Sequence, residues 1–167
     1  PLPANSDLLF FLLELDSDPV DDQQTGERVL VQIRQIMERV FRESDFLVRW
    51  EGEAFLMVAR FSNRKAAPLM AERLRRALHE HPFNSGDGRQ VRRTCSIGFA
   101  CFPYLPGSPL TFSWGQVVDI AEMCLLAAKR TRGDCCVGLE AHSTHETQLT
   151  YQAIATRPQQ LINQNHL

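Results

Sequence analysis

The sequence predicts an α/β fold, one five-stranded sheet flanked by helices, with elements in the order β-α-β-β-α-β-α-β. Three observations carry that prediction. Residues 8–15 (LLFFLLEL) are too apolar for a surface element and short enough for a central strand buried on both faces. Residues 26–41 and 63–79 place apolar side chains at helical spacing. Residues 46–50 and 55–61 are two β-rich runs joined by Glu51-Gly52-Glu53-Ala54. That is a hairpin with an acidic turn, although it lacks the Asn-Gly signal of the tightest hairpins.

The elements follow in order. After the first strand, residues 16–25 form a polar, acidic turn that contains Pro19. The first helix directs Val29, Leu30, Ile33, Ile36, Met37 and Val40 inward. After the hairpin, Ser62-Asn63 is placed to cap the second helix, which buries Ala66, Leu69, Met70, Leu74, Ala77 and Leu78. Residues 84–88 (NSGDG) are a loop, 91–102 one long strand, and 103–109 another loop. Ser113 or Thr111 starts a third helix with Val117, Val118, Ala121, Leu125 and Ala128 inward. A short strand over 135–139 closes the sheet. Beyond Glu140 the chain turns polar and rich in Gln and Asn. Residues 1–140 are therefore expected to form the domain and 141–167 a tail, with room for a helix around 149–155.

Composition sets the limits. A chain of 167 residues with 44% apolar and 23% charged residues can bury a core without disulfides or metals. The net charge of −2 gives no general attraction to nucleic acid, so any anion site must be local. The apolar run at residues 8–13 is too short to cross a bilayer. No targeting signal opens the sequence, and the abrupt Pro1-Leu2-Pro3 start reads as a piece cut from something longer. The cysteines (Cys95, Cys101, Cys124, Cys135, Cys136) lack metal-ligand spacing and read as reduced, partly buried thiols of a cytoplasmic protein. His79/His81 and His142/His145 have no carboxylate or cysteine framework, so no metal is assigned to them.

The hairpin turn is more specific. Arg49-Trp50-Glu51-Gly52-Glu53-Ala54-Phe55-Leu56 resembles the signature turn of the GGDEF domain family, the diguanylate cyclases. Gly26-Glu27-x-x-Leu30 resembles that family's G-D-x-x-L helix start, and Ser96-Ile97-Gly98 resembles its S-[IV]-G strand. Ala121-Glu122-x-x-Leu125-x-x-Ala128-Lys129 resembles its A-D-x-A-L-Y-x-A-K helix. The resemblance runs in order from residue 8 to residue 139, without the helix that usually precedes the family's first strand. It implies a mixed, mainly antiparallel sheet and an enzyme that joins two GTP molecules into cyclic di-GMP. In such enzymes carboxylates hold Mg²⁺ against the triphosphate, and glycines admit phosphate to the backbone.

The departures from the family pattern fall on the residues that would do this work. Glu51 replaces the first glycine of the signature and brings a negative charge toward the phosphate position. Gly52, Glu53 and Phe55 fit the pattern, but Ala54 stands where the family has an acid. The strand-end motif D-x-D-x-F-K reads Glu14-Leu15-Asp16-Ser17-Asp18-Pro19, so its lysine is gone. The segment between Glu14 and Gly26 is several residues shorter than the family's, which removes the asparagine that would read guanine. The K-x-x-G-R motif reads Lys129-Arg130-Thr131-Arg132-Gly133, with its arginine displaced by one place. Metal, base and phosphate recognition are all struck, so a catalytically inactive domain is expected. Glu14 and Glu53 are weak candidates for a retained Mg²⁺ site, and they read better as solvated acids at a loop edge.

One family feature survives. Arg42-Glu43-Ser44-Asp45 is an R-x-x-D at the offset of the family's inhibitory site, where cyclic di-GMP binds. Arg73, in Ala71-Glu72-Arg73, matches a second arginine that reaches the same ligand. An arginine fork engages a phosphate or the O6/N7 edge of guanine, and an aspartate accepts from guanine N1–H and N2–H. Taken alone, R-x-x-D at a helix end is more often a local ion pair. Arg75 and Arg76 read as solvated, and Arg49 and Trp50 as scaffold. The expected function is a cytoplasmic receptor for cyclic di-GMP, standing alone or as the cytoplasmic part of a membrane-bound sensor, with homodimerisation as a possible output. Two alternatives differ in class. One is a nucleotide-independent module that docks a phosphodiesterase or effector of cyclic di-GMP signalling. The other is a weak residual cyclase using Glu14, Glu53 and Lys129.

Overall fold

The computed structural model describes residues 7–16, 23–105, 111–143 and 149–155, excepting the side chains of 23–25 and 141–155. Of the polar turn expected over residues 16–25, residues 17–22 lie outside the described residues, and 23–25 are helical instead. Strand β1 (Asp7–Leu15) runs through the middle of the sheet. It pairs antiparallel with β3 (Phe55–Ser62) on one edge and with β6 (Cys95–Phe102) on the other. Its uninterrupted apolar character follows from this position. Leu9, Phe11 and Leu13 enter one core, while Phe10 and Leu12 enter a second on the opposite face.

The first core is closed by α1 (Gln23–Val40) and α2 (Ala67–Glu80), through Val29, Ile33 and Met37 of α1 and Ala71, Leu74 and Leu78 of α2. Leu69, expected inward, is exposed. The second core is closed by α3 (Trp114–Arg130). Of the two starts proposed for α3, Ser113 is the cap. Its hydroxyl accepts from Gln116 N, and the Gln116 side chain accepts from Ser113 N. Asn63 caps a short 3₁₀ turn (Arg64–Ala66) that leads into α2, rather than α2 itself. Gly98 has a packing role: a Cβ there would collide with the backbone of α3 at Ala121 and Leu125. The Ser96-Ile97-Gly98 motif is therefore the seat of that helix.

The expected hairpin is β2 (Phe46–Arg49) with β3. The five expected strands follow in the order β2-β3-β1-β6-β7, where β7 is Cys136–Ser143. Only β6 and β7 are parallel among the paired strands of this sheet. The sheet is thus mixed and mainly antiparallel, as expected. Two expectations need correction. The long strand over 91–102 is broken: β5 (Gln90–Val91) pairs with β4 (Phe83–Asn84) in a separate ribbon, and β6 begins at Cys95. Residues 92–94 spend their polar groups elsewhere. Arg92 donates to Glu80 O at 2.9 Å, and Thr94 binds Asp16 through both its hydroxyl and its carbonyl. The second correction concerns the helix expected around 149–155. That segment is strand β8 (Leu149–Ala155), antiparallel to β7 and extending the sheet by a sixth strand. Its Thr, Tyr and Ile content suits a strand, and pairing with β7 satisfies a backbone too short to hold an isolated helix.

All five cysteines are buried, which goes further than the partial burial expected. Burial pushes the Cys101 and Cys124 thiols up to about 12, so they behave as small apolar residues. No helix among the described residues is long and apolar enough to cross a membrane.

Candidate functional site

Two regions hold the residues singled out from the sequence. The first lies at the C-terminal end of β1 and around the β2–β3 hairpin. The hairpin turn is closed by Trp50 N donating to Ala54 O (2.9 Å) and Ala54 N donating to Glu51 O (3.1 Å). Gly52 sits at φ +60, a conformation that favours glycine. Arg49 Nε donates to Gly52 O at 3.0 Å, and its guanidinium lies 5.0 Å from the centre of the Phe55 ring, so Arg49 braces the turn. Trp50 packs against the second core. Glu51 and Glu53 are exposed, while the Ala54 methyl is buried.

Glu14, the candidate metal ligand on β1, forms an ion pair with Lys129 from the end of α3. Asp16 is more heavily engaged. Its carboxylate accepts from Thr94 Oγ1 (2.6 Å), Ser96 Oγ (2.6 Å) and the backbone N–H of Asp134 (2.7 Å). Asp134 is itself buried and pairs with Arg75 and with His79 Nδ1 (3.3 Å). Arg75 also binds Glu72 in bidentate fashion, and these bonds hold its guanidinium well above the ordinary arginine range. Arg75 is therefore a structural ion-pair partner and not the solvated charge expected. Arg132, Gly133 and Asp134 all have positive φ, and the missing Cβ of Gly133 leaves room for the Asp16 carboxylate. Sequence reasoning missed this network, because its members come from four separate segments of the chain. Among the described residues no three His, Cys, Asp or Glu side chains form a group able to hold a metal.

The second region is the turn between α1 and β2. Asp45 N donates to Arg42 O (2.9 Å), and the Asp45 carboxylate accepts from Arg42 N (2.9 Å) and from Arg60 N on β3 (3.1 Å). The sequence left open a local Arg42–Asp45 ion pair. Instead the carboxylate fastens backbone, and it keeps lone pairs for a further donor. The Arg42 and Arg73 guanidinium groups are exposed and have no hydrogen-bond or ion-pair partner among the described residues. Arg42, Asp45 and Arg73 line one groove of about 330 Å³, together with Phe61, Ser62 and Asn63. The end of α1, the end of β3 and the middle of α2 thus converge on it. A neighbouring groove of about 530 Å³ shares Arg42 and Asp45 and is lined by Met37, Phe41, Phe46, Leu47 and Met57. Arg60 and Phe61 are the residues here that sequence reasoning passed over. Their only signal is an Arg-Phe pair that breaks the apolar run of β3.

Comparison with known proteins bears on both regions. Residues 23–135 match the family model described as diguanylate cyclase, GGDEF domain. The chain is 27% identical over 106 residues to diguanylate cyclase DosC of Escherichia coli, covering 64% of this chain and 22% of that protein. It is 29% identical over 132 residues to diguanylate cyclase DgcP of Pseudomonas aeruginosa, covering 77% of this chain and 19% of that protein. The chain therefore spans about a fifth of the length of these relatives. Among solved structures, diguanylate cyclase SiaD of Pseudomonas aeruginosa in complex with its activator SiaC superposes with a TM-score of 0.69 at 28% identity, over 79% of this chain and 50% of that one. The coiled coil and GGDEF domain of DgcB from Caulobacter crescentus, in complex with c-di-GMP, gives 0.69 at 22% identity, over 80% of this chain and 70% of that one. At that identity the second likeness speaks for the fold alone. The match over residues 23–135, with the strand order and hairpin above, establishes that the chain belongs to the diguanylate cyclase GGDEF domain family.

Proposed function

We propose that this domain is catalytically inactive and serves as a cyclic di-GMP receptor, holding the ligand through Arg42, Asp45 and Arg73. One observation carries the reading: two guanidinium groups without partners among the described residues and a carboxylate with spare lone pairs line a single groove. The arginines suit phosphate or the O6/N7 edge of guanine, and Asp45 suits its N1–H and N2–H. The catalytic region supports the negative half of the proposal. The acids present do not fit Mg²⁺: Glu14 is neutralised by Lys129, Asp16 already accepts three hydrogen bonds, Ala54 supplies no carboxylate, and the exposed Glu53 belongs to no metal-holding group among the described residues.

Docking of a protein partner without nucleotide is the second reading. It is favoured by the edge strand β2, which exposes Phe46 and Val48.

Calorimetric titration of cyclic di-GMP into the purified chain separates them, with Arg42→Ala in parallel and GTP/Mg²⁺ as the control ligand. Saturable binding is expected for the wild type. Removing one charge-assisted contact is worth about 1.5–3 kcal/mol, so Arg42→Ala should weaken binding about tenfold or more while leaving the melting temperature unchanged. A folded wild type that gives no heat at high ligand concentration overturns the receptor reading and leaves the docking module.

A further inference from the structure

Phe61 stands out within the proposed receptor groove. It lines that groove beside Arg42 and Arg73, and it is 58% exposed, unlike the aromatic residues of the two cores. Its backbone lies at φ 51, in the left-handed region that a bulky side chain rarely adopts. The local register explains how it is held there. Asp7 pairs with Ser62 but Leu9 pairs with Ala59, so β3 carries one extra residue opposite β1 at this point. Such a bulge re-aims a side chain that regular pleating would have directed elsewhere. The bulge is tied to the R-x-x-D turn, because Asp45 accepts from Arg60 N (3.1 Å) and Ser44 O accepts from Arg60 Nε (2.6 Å). The Arg60 guanidinium thereby lies 4.7 Å from the centre of the Phe46 ring and 5.9 Å from that of Phe61. The same aspartate that faces the groove thus fixes the segment presenting the ring.

We propose that Phe61 is the base-stacking platform of this groove, taking the flat face of a guanine whose edge and phosphate are met by Asp45, Arg42 and Arg73. The inference rests on the cyclic di-GMP reading and adds a recognition element to it. Arginine and aspartate read charge and donor pattern but give little contact area, whereas an exposed ring supplies area to any purine face. A ring kept in a disfavoured backbone conformation at a ligand groove also fits the tendency of strain to collect at functional sites.

The test is a titration of cyclic di-GMP into the wild type, Arg42→Ala, Phe61→Gly, Phe61→Leu and Phe61→Tyr, with the melting temperature of each. Stacking on one base predicts that Phe61→Gly binds about 5- to 100-fold more weakly. Its melting temperature should hold or rise, since glycine relieves the left-handed strain. Phe61→Tyr should bind like the wild type, and Phe61→Leu should be weakened despite its apolar bulk. Wild-type affinity in Phe61→Gly or in Phe61→Leu, with binding still weakened in Arg42→Ala, overturns the stacking role and leaves the receptor standing. Absence of binding by the wild type itself overturns both.

Discussion

The two polar regions of this domain handle charge in opposite ways. Where the end of β1 meets α3 and the turn at residues 132–134, the charged groups answer one another. Glu14 faces Lys129, Asp16 is held by Thr94, Ser96 and the backbone of Asp134, and Asp134 faces Arg75 and His79. At the α1–β2 turn the carboxylate of Asp45 fastens backbone, and Arg42 and Arg73 are left without partners among the described residues. A dense group of ionisable residues is therefore no guide to a binding site by itself. The closed network has its electrostatic capacity committed to the fold, whereas the guanidinium groups of the open groove are left uncommitted among the described residues.

The strongest way to break this contrast is Asp16→Ala. If Asp16 serves the fold, its removal strands the fully buried Ser96 hydroxyl and the Asp134 N–H, and it uncovers a buried ion-pair network. The expected loss is about 3–5 kcal/mol, read by denaturant or thermal melting. A variant that melts like the wild type would show that the acid is free for ligand chemistry, and the contrast between the regions would collapse.

How far the sequence alone reaches can be judged from particular residues. The strand over residues 8–15, the three main helices and the hairpin were legible because each announces itself by local period: apolar on both faces, or apolar at every third and fourth place. The break at residues 92–94 and strand β8 were not, because each depends on what lies beside it. Thr94 leaves strand geometry to meet Asp16, distant in sequence, and β8 exists by pairing with β7. Membership of the family was legible from four motifs in order. The groove was legible only as separate residues on a family offset, since its walls come from the ends of α1 and β3 and from α2. Phe61 was invisible for the same reason: a bulge is a relation between two strands, and no residue type marks it.

Salt sharpens the contrast with an intermediate effect. Exposed guanidinium groups act through solvent, where the screening length falls from about 10 Å at 0.1 M salt to about 3 Å at 1 M. Cyclic di-GMP affinity should therefore weaken several-fold over that range in calorimetry, whereas the melting temperature, which depends on the buried pairs, should move little. A salt-insensitive affinity would place the ligand away from Arg42 and Arg73.

The smallest effect, and the most informative for catalysis, is expected at Glu14 and Lys129. Both side chains are about one-third exposed (33% and 30%), so water competes for them and the pair contributes about 1 kcal/mol or less. Lys129→Met should lower the melting temperature by only a few degrees. The variant also frees Glu14 from its cation, which makes it the most favourable background for a metal to appear. If the lysine alone kept Mg²⁺ away, MgCl₂ would raise the melting temperature of Lys129→Met and not that of the wild type. The expectation is no response in either protein, because Ala54 supplies no carboxylate, Asp16 stays committed to Thr94, Ser96 and Asp134, and Glu14 and Glu53 belong to no metal-holding group among the described residues. A Mg²⁺ response in the wild type would mean that Glu14 leaves Lys129 at little cost, and the residual-cyclase reading would then have to be tested directly with GTP.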